Sequence, residues 1–167
     1  MFAWLKRFWR RPPAAHSTGE RGALGERLAR EHLRKMGLRI LATNWRNPRD
    51  RRGEIDLVAL DGQVLVFVEV KTRAAGALVA GHHAVDARKK RALLCAARAY
   101  LRGLDEPPRS VRFDVVEVAL PESRHGVDGE QRDGPIRGPS ASPPLSPALR
   151  HFKNLPLFPK GFLPRSR

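Results

Sequence analysis

Four charged side chains in an apolar part of the chain have the residue types that metal-dependent hydrolysis requires. Glu54 and Asp56 lie in the segment GEIDLVAL, and Glu69 and Lys71 lie in the segment VLVFVEVKT. Magnesium prefers hard oxygen ligands and often takes one or two carboxylates together with water and a substrate phosphate. A lysine beside such a metal can hold the attacking water or stabilise the negative charge that develops. The residue types therefore indicate phosphodiester hydrolysis with Mg²⁺ or Mn²⁺, provided that the fold brings them together.

A β-hairpin is predicted to position these side chains. Residues 53–60 and 64–72 are rich in Val, Ile, Leu and Phe, which is typical of strands. Asp61 and Gly62 between them are typical of a two-residue turn. The two segments are therefore expected to pair as antiparallel neighbours.

The predicted register places all four charges on one face of the hairpin. With Asp61-Gly62 as the turn, Glu54 faces Glu69, and Asp56 is a diagonal neighbour of Glu69 about 7 Å away at the backbone. Alternate residues of a strand share a face, so Lys71 lies on the same side as Glu69. Asp56 and Glu69 can then converge on one metal ion. The opposite face is apolar, which predicts a sheet covered by helices on both sides: Ile55, Leu57, Ala59, Val64, Val66, Val68 and Val70.

A second interpretation of the four charges stays open. Charged residues at strand ends often do no more than protect a sheet edge from aggregation. The large apolar neighbours Val58, Leu65 and Phe67 on the same face favour a partly buried site instead. An unpaired buried charge costs several kcal/mol, by order of magnitude, and a divalent cation would remove that cost.

The surrounding pattern predicts an α/β domain with the element order α-β-β-β-α-β. Apolar residues recur at helical spacing from Glu20 to Met36, and Gly37 ends the pattern as a C-cap. A short strand over 39–44, an arginine-rich loop over 46–52 and the hairpin follow. A second helix over 86–102 then leads to a last strand over 111–118. Because a helix joins two strands in crossover fashion, the last strand should lie parallel to the one before it.

Composition divides the chain into three parts. Residues 1–18 form a basic aromatic arm, residues 19–122 a globular domain, and residues 123–167 a Pro-rich basic tail that we expect to be disordered. The net charge of +15 predicts a polyanionic partner, nucleic acid first and an anionic membrane second. The one cysteine, Cys95, excludes a disulfide framework and is typical of the cytoplasm. The sequence contains no apolar run of the roughly 20 residues that a transmembrane helix needs.

Two motifs of the hairpin resemble a known superfamily. GEIDLV followed by VFVEVKTR is similar to the D…(D/E)xK signature of restriction-endonuclease-like proteins. Residues 19–118 resemble one bacterial family within it, the YraN-like uncharacterised proteins, which are similar to archaeal Holliday-junction resolvases. Further matches are Gly22, Gly25 and Glu26, then Gly37, Asn44, Val85 with Lys89, and RFDVV at 112–116. The resemblance implies a mixed β-sheet flanked by helices.

The resemblance also implies roles for individual residues. Asp56 and Glu69 would bind the metal, Lys71 would be catalytic, and Glu26 on the first helix would complete the acidic cluster. A surface ion pair with Arg30 is the other interpretation of Glu26. Glu54 would assist the metal or orient Lys71.

Basic residues near the hairpin are candidate phosphate contacts with little sequence readout. One group precedes the acidic strand or follows the next one: Arg46, Arg49, Arg51, Arg52 and Arg73. The other group opens the second helix: Arg88, Lys89, Lys90 and Arg91. Cations at a helix N-terminus oppose the helix dipole unless an anion is bound, which favours binding over a merely solvated surface.

These observations predict a Mg²⁺- or Mn²⁺-dependent endonuclease that cleaves DNA, with branched or damaged DNA as the substrates that the resolvase likeness implies. The alternative is an accessory protein that binds nucleic acid on the same fold without cutting it. The predicted partner is nucleic acid, with DNA as the first candidate and RNA left open, and a homodimer stays open as the assembly.

Overall fold

The computed structural model describes residues 18–48, 50–74, 87–121 and 146–163. In these ranges the chain forms two helices and five strands: α1 (Thr18–Lys35), β1 (Arg39–Asn47), β2 (Asp50–Asp61), β3 (Val64–Ala74), α2 (Ala87–Arg102), β4 (Ser110–Leu120) and β5 (Ala148–Phe152). The strands make one sheet in the order β1-β2-β3-β4-β5. Neighbours are antiparallel except β3 and β4, which are parallel across the α2 crossover. The predicted α/β class, the order of the first six elements and the parallel strand are confirmed, and the mixed sheet is consistent with a restriction-endonuclease-like fold.

Each face of the sheet is covered by one helix. Ala29 and Leu33 of α1 pack against Leu57, Val66 and Val116 on the face that we call the α1 face. On the opposite face, the α2 face, buried residues of α2 pack against the sheet: Leu93, Ala96, Ala97 and Leu101 of the helix, and Val58, Leu65, Phe67, Phe113 and Val115 of the strands. Burying each of the Val, Leu and Phe side chains contributes roughly 1.5–3 kcal/mol, so both layers stabilise the position of the helices on the sheet.

The β2–β3 register differs from the predicted one by two residues. Leu60 pairs with Leu65 and Asp61 pairs with Val64, so the turn is Gly62-Gln63 rather than Asp61-Gly62. Gly62 has a φ of 60°, which a glycine adopts without strain. Asp61 stays in the ladder, where its carboxylate accepts a hydrogen bond of 2.9 Å from Arg112 of β4. A shift of two residues leaves side chains on their predicted faces, because the side-chain period of a strand is two.

Strand β2 is longer than predicted and less regular. Arg46 pairs with Glu54 and Asn47 pairs with Asp50, so the predicted loop over 46–52 shrinks to two residues. Ile55 was predicted on the α1 face, but it packs in the core of the α2 face beside Phe67. Regular alternation therefore breaks next to Asp56, because Leu57 still packs on the α1 face.

The prediction of a disordered tail over 123–167 is wrong for residues 146–163. Strand β5 pairs antiparallel with β4, and Leu149 lies opposite Val118. Beyond β5, Leu155, Phe158 and Phe162 pack against the core of the α2 face. The spacing of these apolar residues follows neither the helical nor the strand period, because each one inserts separately from an irregular segment. Residues 122–145 and 164–167 lie outside the described ranges.

A buried carboxylate ties this C-terminal segment to the sheet. Asp114 of β4 is fully buried and accepts hydrogen bonds from Arg112, from the His151 ring of β5 and from the backbone amide of Asn154, each at 2.9 Å. Burial acts to raise the pKa of Asp114, but these hydrogen bonds together hold it below its usual value. Asp114 is therefore ionised and fixes β5 against β4.

The arm predicted over 1–18 lies outside the described residues except for Thr18, the first residue of α1. In the part of the chain that the structure describes, no helix is both long and apolar enough to cross a membrane.

Candidate active site

Asp56 and Glu69 meet where β2 and β3 separate. The backbone amide of Val70 donates a hydrogen bond of 2.7 Å to Oδ2 of Asp56. Since Val70 directly follows Glu69, this bond places the Asp56 carboxylate beside the Glu69 position. The two carboxylates that the sequence predicted as metal ligands are therefore neighbours in the fold.

The electrostatic environment of Asp56 disfavours its charge. Burial, followed by the negative charge of Glu69, raises the pKa of Asp56 to about 7. The Val70 hydrogen bond and the positive charge of Lys89 oppose this rise, while Glu26 adds to it. A carboxyl group in this state gains from any nearby cation, because a positive charge would favour its ionised form.

Glu69 is the more deeply buried of the two carboxylates. Its residue surface is only 3% exposed, and its Oε1 accepts a hydrogen bond from Nζ of Lys89. Lys89 lies in the first turn of α2, and its side chain is 50% exposed. The α2 helix thus brings one cation onto the carboxylate that the sheet buries.

Lys71 lies two residues beyond Glu69 on β3 and is partly buried. Because alternate residues of a strand share a face, its side chain lies on the same side of β3 as Glu69. The expected arrangement of a carboxylate followed by a lysine on one face is therefore present.

A close helix approach brings Glu26 towards this group. Gly25 of α1 is buried against Thr72 of β3, and a Cβ atom at Gly25 would lie 1.9 Å from the Thr72 hydroxyl. Only a residue without a side chain lets α1 lie this near to β3. The adjacent Glu26 is consequently near enough to raise the pKa of Asp56.

Glu54 is held by a different partner from those predicted. Its Oε2 accepts a hydrogen bond of 2.5 Å from Nη2 of Arg46, directly across the β1–β2 ladder. This ion pair also raises the pKa of Arg46. Glu54 and Arg46 therefore neutralise each other at the edge of the site, which is a third role beside the two predicted for Glu54.

The predicted phosphate contacts are dispersed around the site. Arg73 lies 3.7 Å from Glu117 of β4. Arg88, Lys90 and Arg91 are exposed on the first turns of α2, next to Lys89. Arg49 and the side chains of Arg51 and Arg52 lie outside the described residues.

The residues present fit a divalent oxygen-seeking cation held by two carboxylates. Across 18–48, 50–74, 87–121 and 146–163, no group of three or more His, Cys, Asp or Glu side chains could hold one ion. Magnesium needs fewer, because water and substrate phosphate complete its octahedron. Asp56 has a pKa of about 7 and Glu69 is neutralised by a lysine. One lysine leaves a net negative charge on the pair when both carboxylates are ionised, and a divalent cation would supply the missing positive charge.

Sequence reasoning missed that Lys89 belongs to this group. Lys89 was predicted as one of several phosphate contacts in a basic run. A buried carboxylate requires a counter-charge, but the sequence does not show which helix residue lies over Glu69. The matched spacing of Val85 and Lys89 was the one signal that singled this lysine out.

The central part of the chain matches a known family. Residues 25–118 match the sequence model of uncharacterised protein family UPF0102. The UPF0102 protein of Porphyromonas gingivalis is 47% identical over 103 residues, which cover 60% of this chain and 72% of the relative. That of Symbiobacterium thermophilum is 49% identical over 111 residues, or 66% and 87% of the two chains. That of Verminephrobacter eiseniae is 44% identical over 127 residues, or 69% and 88%.

Proposed function

The chain belongs to the UPF0102 family, which confirms its resemblance to the YraN-like proteins. We propose that it is a Mg²⁺- or Mn²⁺-dependent endonuclease acting on DNA. The observation that carries the proposal is the pairing of Asp56, whose pKa is raised to about 7, with the buried Glu69. Two neighbouring carboxylates in partly buried surroundings are costly for the fold unless a ligand uses them.

Each residue of the group has a distinct task in this proposal. Asp56 and Glu69 hold the cation, which when bound would polarise the phosphodiester and activate water. Lys71 holds the attacking water or stabilises the charge that develops on the phosphate. Glu26 strengthens the negative field that attracts the cation. The Val70 amide keeps Asp56 oriented across the two strands.

Positive charge outside the group supports a nucleic-acid substrate. The chain carries 32 Lys and Arg against 17 Asp and Glu. Arg88, Lys90 and Arg91 are exposed on the same turns of α2 as Lys89, which contacts Glu69, and there they would contact phosphates near the cleaved bond. Branched DNA is the substrate class that the resolvase likeness suggests, and a homodimer would supply two such sites. The single cysteine, Cys95, accords with action in the reducing cytoplasm.

One observation favours the second candidate, a protein that binds nucleic acid without cutting it. The ion pair between Lys89 and Glu69 already neutralises the more buried carboxylate. A site that is balanced by its own lysine can persist without metal. In that case Lys71 is one phosphate contact among several.

Cleavage assays with a lysine variant separate the two candidates. Native protein, Lys71→Ala and the charge-matched control Lys160→Ala are incubated with branched, duplex and single-stranded DNA plus Mg²⁺ or Mn²⁺. The nuclease proposal predicts metal-dependent cleavage by native protein and control, and a loss of roughly 10²-fold or more for Lys71→Ala with DNA affinity nearly unchanged. Circular dichroism verifies that the variant is folded.

One result would revise the mechanism, and another would overturn the nuclease proposal. A folded Lys71→Ala protein that cuts at the native rate removes Lys71 from the mechanism. Native protein that binds DNA but cleaves none of the substrates with either metal establishes the binding protein instead.

A further inference from the structure

Lys89 occupies the place where the proposed metal would neutralise Glu69. Its Nζ contacts Oε1 of Glu69, while the carboxylate of Asp56 accepts its hydrogen bond from the Val70 amide. The lysine is therefore bound to one of the two proposed ligands and lies near enough to influence the other. The cationic partner of Glu69 in the structure therefore comes from α2.

A cation at this pair would compete with the lysine for the same oxygen. Two positive charges that share one carboxylate oxygen repel each other strongly in a partly buried site. Two carboxylates and one divalent cation are neutral together, so Glu69 no longer needs the lysine once the ion is bound. Binding of the ion therefore weakens the ion pair between Lys89 and Glu69.

The Lys89 side chain is exposed enough to move away from Glu69. Its side chain is 50% exposed, whereas Glu69 is 3% exposed, so the lysine reaches inwards from solvent to a fixed partner. Lysine has a flexible four-carbon stem with a strongly hydrated head, which lets it exchange one anionic partner for another. The neighbouring Lys90 and Arg91 are exposed on the same turns of α2, where a phosphate backbone would lie.

We infer that Lys89 is a charge latch, a positioning residue that closes on Glu69 without metal and is released towards a substrate phosphate when a divalent cation binds. This inference rests on the proposed metal site and deepens it. It makes metal binding and phosphate binding mutually favourable, because metal frees a cation for the phosphate and phosphate draws the competitor away from Glu69. Without a bound cation, the positive charge of Lys89 also offsets the repulsion between the two carboxylates.

Calorimetric titration of Mn²⁺ in the absence of DNA tests the latch. Lys89→Met keeps the length and apolar stem of the side chain but removes the competing charge, and Lys160→Met removes one exposed charge elsewhere as a matched control. The latch predicts that Lys89→Met binds Mn²⁺ about tenfold more tightly than native protein and that Lys160→Met binds as native protein does. Thermal unfolding of each variant verifies that it is folded.

The outcomes distinguish the latch from the metal site itself. Native protein that binds Mn²⁺ as tightly as, or more tightly than, Lys89→Met overturns the latch but leaves the nuclease proposal standing. If neither protein binds Mn²⁺, both the latch and the metal site are overturned. If only Lys89→Met binds, the latch is supported, and the native site is closed until a phosphate opens it.

A second measurement uses native protein only and does not depend on the fold of a variant. An amine-reactive acetylating reagent modifies free lysines, and mass spectrometry quantifies each site. The latch predicts that Mg²⁺ increases the labelling rate of Lys89 several-fold and leaves that of Lys90 nearly unchanged. An unchanged or lower rate at Lys89 in saturating Mg²⁺ contradicts its release.

Discussion

At the scale of single residues, the site is a balance of charges rather than a set of independent groups. Asp56 is hard to ionise because of burial and the negative charge of Glu69, while Glu69 itself is paired with Lys89. The shared face of Glu69 and Lys71 was predictable, because alternate residues of one strand lie on the same side. The position of Asp56 was not fixed by the hairpin, because alternation breaks beside it and the Val70 amide holds its carboxylate. The contact of Lys89 was not predictable either, because it depends on how α2 lies over the sheet.

The raised pKa of Asp56 predicts an unusual pH dependence of stability. The unfolded carboxyl has a pKa of 3.8 and the folded one about 7. The folded state therefore binds the proton more tightly, and stability is highest below pH 4 for this group and falls as pH rises towards 7. The loss amounts to about 4 kcal/mol at 1.36 kcal/mol per unit.

Denaturant unfolding of native protein and Asp56→Asn between pH 4 and pH 8 measures this effect without metal. Asparagine is close in shape and cannot ionise, so the stability of Asp56→Asn relative to native protein should increase over this interval. Saturating Mg²⁺ should restore native stability at pH 8 and leave Asp56→Asn unchanged. A difference between the two proteins that stays constant with pH would show that Asp56 is not electrostatically strained.

At the scale of elements, α1, α2 and β5 each have one feature that sets their position. Gly25 lets α1 approach β3, Lys89 joins α2 to the site, and Asp114 anchors β5. The helices and the first four strands were predictable from hydrophobic period. β5 was not, because its five residues follow a Pro-rich segment and its stability comes from partners on β4 rather than from local pattern.

Two glycines in α1 give a matched test of the close approach. A Cβ at Gly25 would overlap Thr72, whereas a Cβ at Gly22 would meet no atom within 4 Å. Gly25→Ala should therefore destabilise the protein by about 1–3 kcal/mol through overpacking. Gly22→Ala should stabilise it by roughly 0.5–1 kcal/mol, because alanine favours the helix. Chemical denaturation of both variants checks the pair, and equal effects of the same sign would contradict the packing.

The anchor of β5 predicts a strong effect of a single side chain. Asp114→Ala removes the acceptor that Arg112, His151 and the Asn154 amide share in a buried place. The expected loss is about 3–5 kcal/mol, because the remaining donors are left buried and partly unpaired. Hydrogen exchange should show faster exchange in β5 before the rest of the sheet. Native-like protection of 148–152 in the variant would show that apolar contacts alone hold the strand.

At the scale of the whole molecule, a net charge of +15 on 167 residues would attract any polyanion over a long range. The charge was readable from composition, and it predicts non-specific attraction to phosphates. The charge alone does not show where a nucleic acid would bind. The proposed binding surface at the start of α2 could be located only from the fold, which places Lys89 on Glu69.

Affinity for DNA should depend weakly on sequence and steeply on salt. Each neutralised phosphate contributes a slope of about −0.9 in log K against log salt, so four contacts reduce affinity by roughly 10²-fold between 50 and 200 mM salt. Replacing Lys90 and Arg91 with glutamine should make the slope less steep by about two, because two phosphate contacts are lost. Fluorescence anisotropy at a series of salt concentrations measures this slope, with Lys160→Gln as the control. A slope that is unaffected by the double substitution would remove this end of α2 from the interface.

The nuclease proposal requires that Asp56 and Glu69 together form a divalent metal site. Calorimetric titration with Mn²⁺ in the absence of DNA tests this site. Native protein should bind one Mn²⁺, and Asp56→Asn with Glu69→Gln should lose that binding while circular dichroism shows an intact fold. Equal Mn²⁺ affinity for native protein and the double variant would contradict the claim.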